Sequence, residues 1–288
     1  MKLMDQTGGR LHSISPRPAT SLRQSISGLV LVVTLGGLLG CTPTEERPPS
    51  LQMAARKPVV HAEFSVSPED AGPRNPLYRT SRIASTKCEL PRLRDDDWDS
   101  MRRYMKSMSG CLDRIWAKQF AKMRKTYKAP ERRFLKARIS VKACAGKMPA
   151  PGAHGTYCPA NKTYYVLAEP DTWGSWNGMW AAHLVAHEHA HYIQHLAGIL
   201  EYLSEVQADA ANKDEEALAE NRNEDQAGCF AAVALRATRA TLPSWSEFMV
   251  MYKREKDLKA YGGWLDRGFG SGRLDSCNTW TAPRQSIG

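Results

Sequence analysis

The chain has 288 residues, of which 42% are hydrophobic and 24% are charged, and this composition excludes collagen-like and low-complexity proteins. Lysine and arginine (40) outnumber aspartate and glutamate (30), and the net charge of +10 favours an anionic neighbour, either nucleic acid or a lipid or polysaccharide surface. The sequence contains no zinc-knuckle, RNA-recognition or helix-turn-helix signature and no repeat of about 20 to 50 residues, so we expect no nucleic acid partner.

The N-terminal 40 residues have the pattern of a bacterial lipoprotein signal peptide. Four basic side chains and one acidic side chain lie in residues 1–25, and the largely apolar run 26–39 follows. Its 14 residues are fewer than the roughly 20 that span a bilayer as a helix, so the run is typical of a signal-peptide core. The adjoining Leu-Leu-Gly-Cys at 38–41 resembles a lipobox, in which the cysteine is acylated. The alternative is an apolar N-terminal helix that happens to end in a cysteine.

We therefore predict that Cys41 carries a lipid anchor and that residues 1–40 are removed. Such a chain would lie in the bacterial cell envelope and face the periplasm or the cell exterior, where disulfides form. Apart from Cys41 the number of cysteines is even, as this environment leads us to expect. Neighbourhood along the chain favours three disulfides, as a hypothesis: Cys88 with Cys111, Cys144 with Cys158, and Cys229 with Cys277. The absence of a C-x-x-C pair disfavours a cysteine–zinc site.

The chain after the signal peptide divides into two predicted regions. Residues 41–85 are rich in proline and have little apolar periodicity, so we expect a tether between the membrane and the folded part. Residues 86–288 are predicted to form one domain. Its fold class is predicted to be α+β and mainly helical, with a small antiparallel β element.

The first elements of this domain are helices and then strands. Apolar residues at helical spacing predict amphipathic helices over residues 95–125, with a break at Gly110 as one possibility. Residues 134–144 and 163–167 have strand patterns and are separated by a loop rich in glycine and proline. One of these strands is a candidate to pair with an extended peptide; an ordinary structural hairpin is the alternative.

Helices follow the strands. The first is predicted from about residue 177 to 197 and is closed by Gly198, and the second lies within residues 215–238. The chain is predicted to be helical again from Pro243 to about residue 261. The glycine-rich segment 262–272 is predicted to lie beyond this last helix.

The first of these helices contains His-Glu-His-Ala-His at 187–191, which matches the motif H-E-x-x-H. His187 and His191 are one turn apart on one face, so both imidazoles can bind one zinc ion. Glu188 lies about 100° around the helix, where it can take a proton from a zinc-bound water. The apolar flanks bury this helix, and buried imidazoles and carboxylates need a partner such as a metal. The motif therefore predicts one Zn²⁺ ion per chain.

Two points about this site stay open at the level of the residues. Four histidines recur at every fourth position, so a metal-buffering stripe is the alternative: His183, His187, His191 and His195. That alternative does not require Glu188, and a catalytic zinc takes three protein ligands, so we expect His183 and His195 to flank the site. The third ligand must come from elsewhere, and the candidates are Glu205 and Glu224.

Several segments, the zinc helix among them, carry a resemblance: residues 143–146, 155–164, 186–198, 222–231, 264–272 and 277–280. Their order and spacing resemble the bacterial putative neutral zinc metallopeptidase family. The resemblance implies a zincin-like metallopeptidase domain and a glutamate as the third zinc ligand. In that family the segment after the zinc helix reads E-L-Q-A-D-C-F-A-G, and its Glu aligns with Glu224, which ranks Glu205 second.

The chain departs from the family pattern at two positions. The resemblance implies an Asp four residues after the ligand Glu that orients a histidine ligand. That residue is Gly228 here, and Asp225 or Asp209 is the candidate replacement. No histidine follows His195, whereas family members often carry a downstream H-G-[ST] that can stabilise an oxyanion. In this chain Tyr252, Tyr261 or an arginine would have to stabilise the oxyanion instead.

The sequence predicts a lipid-anchored zinc metallopeptidase that acts on a peptide or protein substrate. His187, His191 and Glu224 would bind zinc, and Glu188 would act as the general base toward a zinc-bound water. The alternative is a catalytically impaired zincin-fold envelope protein that acts as a binding or maturation partner; the two departures from the family pattern are the reason to consider it.

Overall fold

A computed structural model of the chain describes residues 66–80, 82–94, 97–168, 178–238 and 242–288. The predicted signal peptide and the predicted lipid site Cys41 lie outside the described residues. None of the helices in the described part of the chain combines the length and the apolar character that crossing a membrane requires.

The described residues form a mainly helical α+β architecture, which confirms the predicted fold class. The α-helices are α1 (Pro68–Ala71), α2 (Trp98–Lys122), α3 (Gly178–Leu196), α4 (Ile199–Ala208), α5 (Lys213–Thr238), α6 (Trp245–Arg254) and α7 (Lys259–Ser271). The strands are β1 (Glu131–Leu135), β2 (Ile139–Val141), β3 (Gly146–Met148), β4 (Gly155–Cys158) and β5 (Thr163–Leu167).

The strands form two small sheets. The larger has the order β1-β5-β4, with β4 antiparallel to β5 and β1 parallel to it. The smaller pairs β2 with β3 in antiparallel fashion. An antiparallel β element is therefore present, as predicted, but its strands β3 and β4 lie in the segment predicted to be a loop. The single strand predicted over residues 134–144 is two strands, β1 and β2, separated by a bend, and β1 pairs with β5 in parallel.

Helix α3 lies at the centre of the core. Every residue from Ala181 to Leu196 is buried, and the helix packs against α2, α5 and the strands β4 and β5. Apolar side chains occur on every face of this helix, as expected for a helix that is covered on all sides. It closes at Gly198, which has a φ of 76°, as predicted, because glycine adopts the left-handed conformation without a steric penalty. The helix α4 that starts at once was not predicted.

Two predicted interruptions are wrong. Helix α2 runs through Gly110 without a break, because a glycine in a helix costs only about 1 kcal/mol and the buried face of α2 offsets it. The glycine-rich segment 262–271 is helical and belongs to α7. Its glycines allow close packing: a Cβ atom at Gly268 would lie 2.4 Å from the backbone oxygen of Cys229 in α5.

The folded domain begins before residue 86. Residues 66–80, the first described part of the predicted tether, contain α1 and a short 3₁₀ helix, Pro76–Arg79. Leu77 is fully buried in the core, and Asn75 Nδ2 donates hydrogen bonds to the backbone oxygens of Ala71 (2.6 Å) and Ala197 (2.9 Å). Pro68 and Pro76 lie in the first turns of these two short helices, so the prolines in this segment start helices. The buried Leu77 attaches the segment to the core.

The three predicted disulfides are all formed. Their Cα–Cα separations are 5.7 Å for Cys88–Cys111, 5.9 Å for Cys144–Cys158 and 5.5 Å for Cys229–Cys277, within the usual range for a disulfide. The third bond joins α5, the helix that carries Glu224, to the C-terminal segment. It therefore ties one wall of the predicted zinc site to the end of the chain.

Candidate metal centre

His187 and His191 on α3 meet Glu224 on α5. The Nε2 atoms of the two histidines are 3.1 Å apart. The carboxylate of Glu224 places Oε2 at 3.2 Å from Nε2 of His187 and Oε1 at 3.4 Å from Nε2 of His191. Within the part of the chain that the structure describes, these three side chains form the one group that could hold a metal ion.

The spacing of these atoms fits a zinc ion. In a tetrahedral site with bonds of about 2.0 to 2.1 Å, neighbouring ligand atoms are about 3.3 Å apart. The two Nε2 atoms are 3.1 Å apart, and each is 3.2 to 3.4 Å from one carboxylate oxygen of Glu224, Oε2 for His187 and Oε1 for His191, so the separations are close to that value. Two imidazoles and one carboxylate also form a ligand set of catalytic zinc sites, which leaves the fourth position open.

Glu224, not Glu205, completes this group. Helix α5 packs directly against α3, and its residues beyond Glu224 are almost continuously buried, so Glu224 is directed at the two histidines. Glu205 is exposed on α4 and does not belong to the group. The geometry therefore agrees with the alignment to the family motif rather than with the shorter E-x-Q-A-D string.

The three side chains shift each other's pKa. Burial lowers the pKa of His187. Burial acts in the same direction on His191, but the Glu224 carboxylate outweighs it and raises the pKa of His191 to about 9. Burial would raise the pKa of Glu224, yet the two imidazoles, His191 first, hold it near 2. The Glu224 carboxylate thus favours positive charge at the two histidines, as it would favour a bound cation.

Gln194 supports His191 from behind. With Nε2 directed at the metal position, Nδ1 of His191 carries the proton and donates to Oε1 of Gln194 at 2.8 Å. Gln194 is fully buried, and its Nε2 donates to Asn223 O (2.9 Å) and to Oε1 of Gln226 (3.0 Å). Gln226 in turn donates to the hydroxyl of Tyr78 at 2.6 Å. The N-terminal segment therefore reaches the metal centre through hydrogen bonds.

Sequence reasoning did not assign this role to Gln194, although one local signal was present. Gln194 follows His191 by three residues, so both project from the same face of α3. The contacts of Gln194 with Asn223 and Gln226 span 29 and 32 residues, and no local pattern reveals them.

Tyr261 supports His187 in the corresponding way. Its hydroxyl lies 3.1 Å from Nδ1 of His187 and 3.3 Å from Nε2 of His183. Nδ1 is the ring nitrogen remote from the ligand atom, so the hydroxyl sits behind the ligand rather than in front of the metal position. The suggestion that Tyr261 stabilises an oxyanion is therefore wrong. Tyr252 is buried against the rings of His183 and Tyr261 and does not join the group either.

The two aspartates considered as replacements for the family's Asp do not contact His187. Asp225 accepts a hydrogen bond from the backbone N–H of Gly288 at 3.0 Å. Burial raises the pKa of Asp225 to about 7. Asp209 is exposed at the end of α4. The position that they were expected to fill is occupied by Tyr261.

Glu188 is fully buried and lies against strand β4. A Cβ atom at Gly155 of β4 would be 2.2 Å from Oε1 of Glu188, so only glycine lets the strand approach this closely. The negative charge of Glu188 also contributes to the raised pKa of His191, which indicates that the carboxylate is near the ligand pair. The remaining histidines of α3 lie elsewhere: Nε2 of His189 pairs with the Tyr127 hydroxyl and Nδ1 of His195 with the Tyr157 hydroxyl.

Two histidines one helical turn apart, an adjacent glutamate and a further carboxylate or imidazole from another part of the chain are the side chains from which zinc metallopeptidases build their metal centres. The family model described as "Putative neutral zinc metallopeptidase" matches residues 79–245, and the chain belongs to this family. The matched range contains the three candidate ligands and Glu188, and it begins within the segment that the sequence analysis had assigned to the tether.

Two curated relatives were found in Escherichia coli. "Uncharacterized protein YpfJ" of strain K12 is 26% identical over 211 residues, which cover 63% of this chain and 72% of the relative. The protein of the same name from strain CFT073 of serotype O6:H1 matches with the same identity and coverage. No solved structure matches the chain significantly.

Proposed function

We propose that this chain is a lipid-anchored zinc metallopeptidase that hydrolyses peptide bonds in a peptide or protein substrate. The observation that carries the proposal is the group of His187, His191 and Glu224, whose ligand atoms lie within 4.8 Å of one another, next to the buried Glu188. These three residues would hold one zinc ion per chain. Zinc, when bound, supplies a Lewis acid that polarises a carbonyl and makes water a nucleophile near neutral pH.

Glu188 is the general base in this proposal. Its carboxylate adjoins the ligand pair and is shielded from bulk water, which suits it to take a proton from the attacking water and to pass that proton to the leaving amine. No residue of the chain needs to form a covalent bond to the substrate.

Strand β4 is the candidate site for the substrate backbone. It forms one edge of the β1-β5-β4 sheet, and the bond from Leu167 N–H to His154 O fixes the pairing with β5. Because backbone groups alternate along an antiparallel strand, those of Gly155 and Tyr157 are directed away from β5. An extended peptide added at this edge would pass Glu188, which contacts Gly155.

The location is proposed from the sequence. The lipobox-like residues 38–41 suggest acylation at Cys41, and 24 residues lie between Cys41 and residue 66. Three disulfides are consistent with an oxidising compartment, the periplasm or the cell exterior. Removal of residues 1–40 would leave 36 basic and 29 acidic side chains, a net charge of +7 that suits an anionic envelope (40 − 4 and 30 − 1).

The second candidate is a catalytically impaired envelope protein that binds or matures a partner. It is favoured by one observation, the absence of any histidine after His195 to serve as an oxyanion donor. The two candidates differ in whether zinc-loaded protein cuts peptide bonds.

The experiment uses the purified full-length chain and an unstructured protein substrate. The peptidase predicts cleavage that a chelator abolishes and added zinc restores. The Glu188→Gln variant should lose about 10²- to 10⁴-fold of the rate while keeping its zinc, because only the general base is removed. Glu205→Gln, an exposed glutamate outside the group, is the matched control and should keep full activity. If the zinc-loaded chain cuts neither this substrate nor a broad peptide library, the second candidate, a catalytically impaired protein that binds or matures a partner, is the correct one.

A further inference from the structure

We propose that Tyr261 is the positioning residue for the zinc ligand His187, and that Gly228 is the residue that makes room for it. The inference rests on the zinc site proposed above and adds a pair of residues on α5 and α7 to it. Neither residue of the pair touches the metal position.

The hydrogen bonds of Tyr261 define the orientation of His187. A histidine that binds zinc through Nε2 must carry its proton on Nδ1. In that tautomer Nδ1 of His187 donates to the Tyr261 hydroxyl oxygen across 3.1 Å. The Tyr261 hydroxyl then donates to Nε2 of His183 across 3.3 Å.

The tyrosine ring is held in place on several sides. Its centroid lies 5.7 Å from the ring of Tyr252, 6.2 Å from that of His187 and 6.3 Å from that of His183. Helix α7, which carries Tyr261, packs against α5 along its length. The hydroxyl is therefore directed at Nδ1 by the packing of a rigid helix rather than by a loop.

Gly228 is required for this arrangement. A Cβ atom at residue 228 would lie 2.7 Å from Cε2 and 2.8 Å from both Cζ and the hydroxyl oxygen of Tyr261. Any other residue at this position would therefore push the phenol away from His187. From the sequence alone, Gly228 marks the loss of a supporting carboxylate. In the structure the phenol of Tyr261 occupies the space beside Gly228, and its oxygen can accept the same type of hydrogen bond from His187.

The first test is zinc affinity, measured by competition with a chromophoric chelator on the full-length chain. Tyr261→Phe keeps the ring and removes the hydroxyl, and the zinc dissociation constant should rise about 10- to 100-fold. Tyr252→Phe is the matched control, since that ring contacts His183 and Tyr261 but not the ligands, and its zinc affinity should be unchanged. An affinity of Tyr261→Phe within twofold of the parent chain would overturn the inference.

A second pair of variants separates positioning from packing. Gly228→Asp combined with Tyr261→Ala supplies a carboxylate in the space of the phenol, and Gly228→Ala combined with Tyr261→Ala supplies none. The aspartate variant should bind zinc at least about tenfold more tightly than the alanine variant. It should also restore the visible spectrum of the cobalt-substituted parent, which a merely structural role would not do. Equal affinities would overturn the inference even if Tyr261→Phe is unstable.

Zinc binding by the parent chain separates failure of the proposed function from failure of the role of Tyr261. If the parent takes up no zinc, the proposed function and this inference both fail. If the parent binds zinc and neither pair of variants differs, only the role of Tyr261 fails.

Discussion

Oε2 of Glu224 lies 3.2 Å from Nε2 of His187, although 37 residues separate the two along the chain. This contact joins α5 to α3, the helix that carries the H-E-x-x-H motif. It converts a pair of histidines, which alone would be a weak metal site, into a set of three ligands with one position open.

Replacement of Glu224 should therefore remove the metal. In Glu224→Ala, two ligands remain, and we expect the zinc content of the purified full-length chain to fall from about one per chain to near zero. Glu205→Ala is the matched control, because Glu205 is an exposed glutamate on a neighbouring helix. Elemental analysis after removal of excess metal measures both. Loss of zinc in Glu205→Ala with retention in Glu224→Ala would reverse the assignment.

Gln194→Ala should weaken zinc binding without removing a ligand. The variant leaves Nδ1 of His191 without its acceptor at 2.8 Å, and loss of such support typically lowers metal affinity by about 10- to 100-fold. Gln207→Ala is the control, because Gln207 of α4 donates to Glu220 of α5 at 2.9 Å and is not one of the three candidate ligands or a partner of them. Chelator competition compares the two; equal affinities would show that Gln194 does not orient His191.

The N-terminal segment should contribute to the stability of the domain. Leu77 is fully buried, so Leu77→Ala should lower the free energy of unfolding by about 2 to 5 kcal/mol. Arg79→Ala, two residues on and exposed, should change it by less than about 0.5 kcal/mol. Urea unfolding of the full-length chain measures both values. A Leu77→Ala variant as stable as the parent would support the original expectation that this segment is only a tether.

Removal of the disulfide between Cys229 and Cys277 should destabilise the chain more than removal of that between Cys144 and Cys158. The first closes a separation of 48 residues and the second one of 14. The entropy of loop closure predicts losses of about 4 and about 3 kcal/mol respectively. Unfolding of the two double-serine variants under identical conditions gives the order. The reverse order would mean that strain or residual structure, rather than loop length, sets the contribution of these bonds.

Local patterns were sufficient for the elements that carry the motif. The apolar flanks and the closing glycine predicted α3 to within about a turn at each end, because both signals lie within the helix itself. The cysteine pairs were predicted from neighbourhood along the chain, which works here because each pair joins segments that are near in sequence. The link from Glu224 to the histidines was not available from periodicity, and the resemblance to the family supplied it.

The remaining parts of the site depend on long-range packing. Tyr261 and His187 are separated by 74 residues, and a tyrosine in a glycine-rich segment carries no local sign that it supports a metal ligand. The same segment was not predicted to be helical, because helix propensity counts each glycine as a penalty and cannot include the close contact between α5 and α7. Leu77 was missed for a related reason: one buried side chain between prolines shows no periodicity.

X-ray absorption at the zinc edge of the purified, zinc-loaded full-length chain would identify the zinc ligands. For zinc held by the two histidines and Glu224 we expect a first shell of nitrogen and oxygen at about 2.0 to 2.2 Å, with the outer-shell scattering of two imidazoles and no sulfur. A sulfur shell at about 2.3 Å, or a spectrum without imidazole scattering, would contradict a zinc ion held by His187, His191 and Glu224.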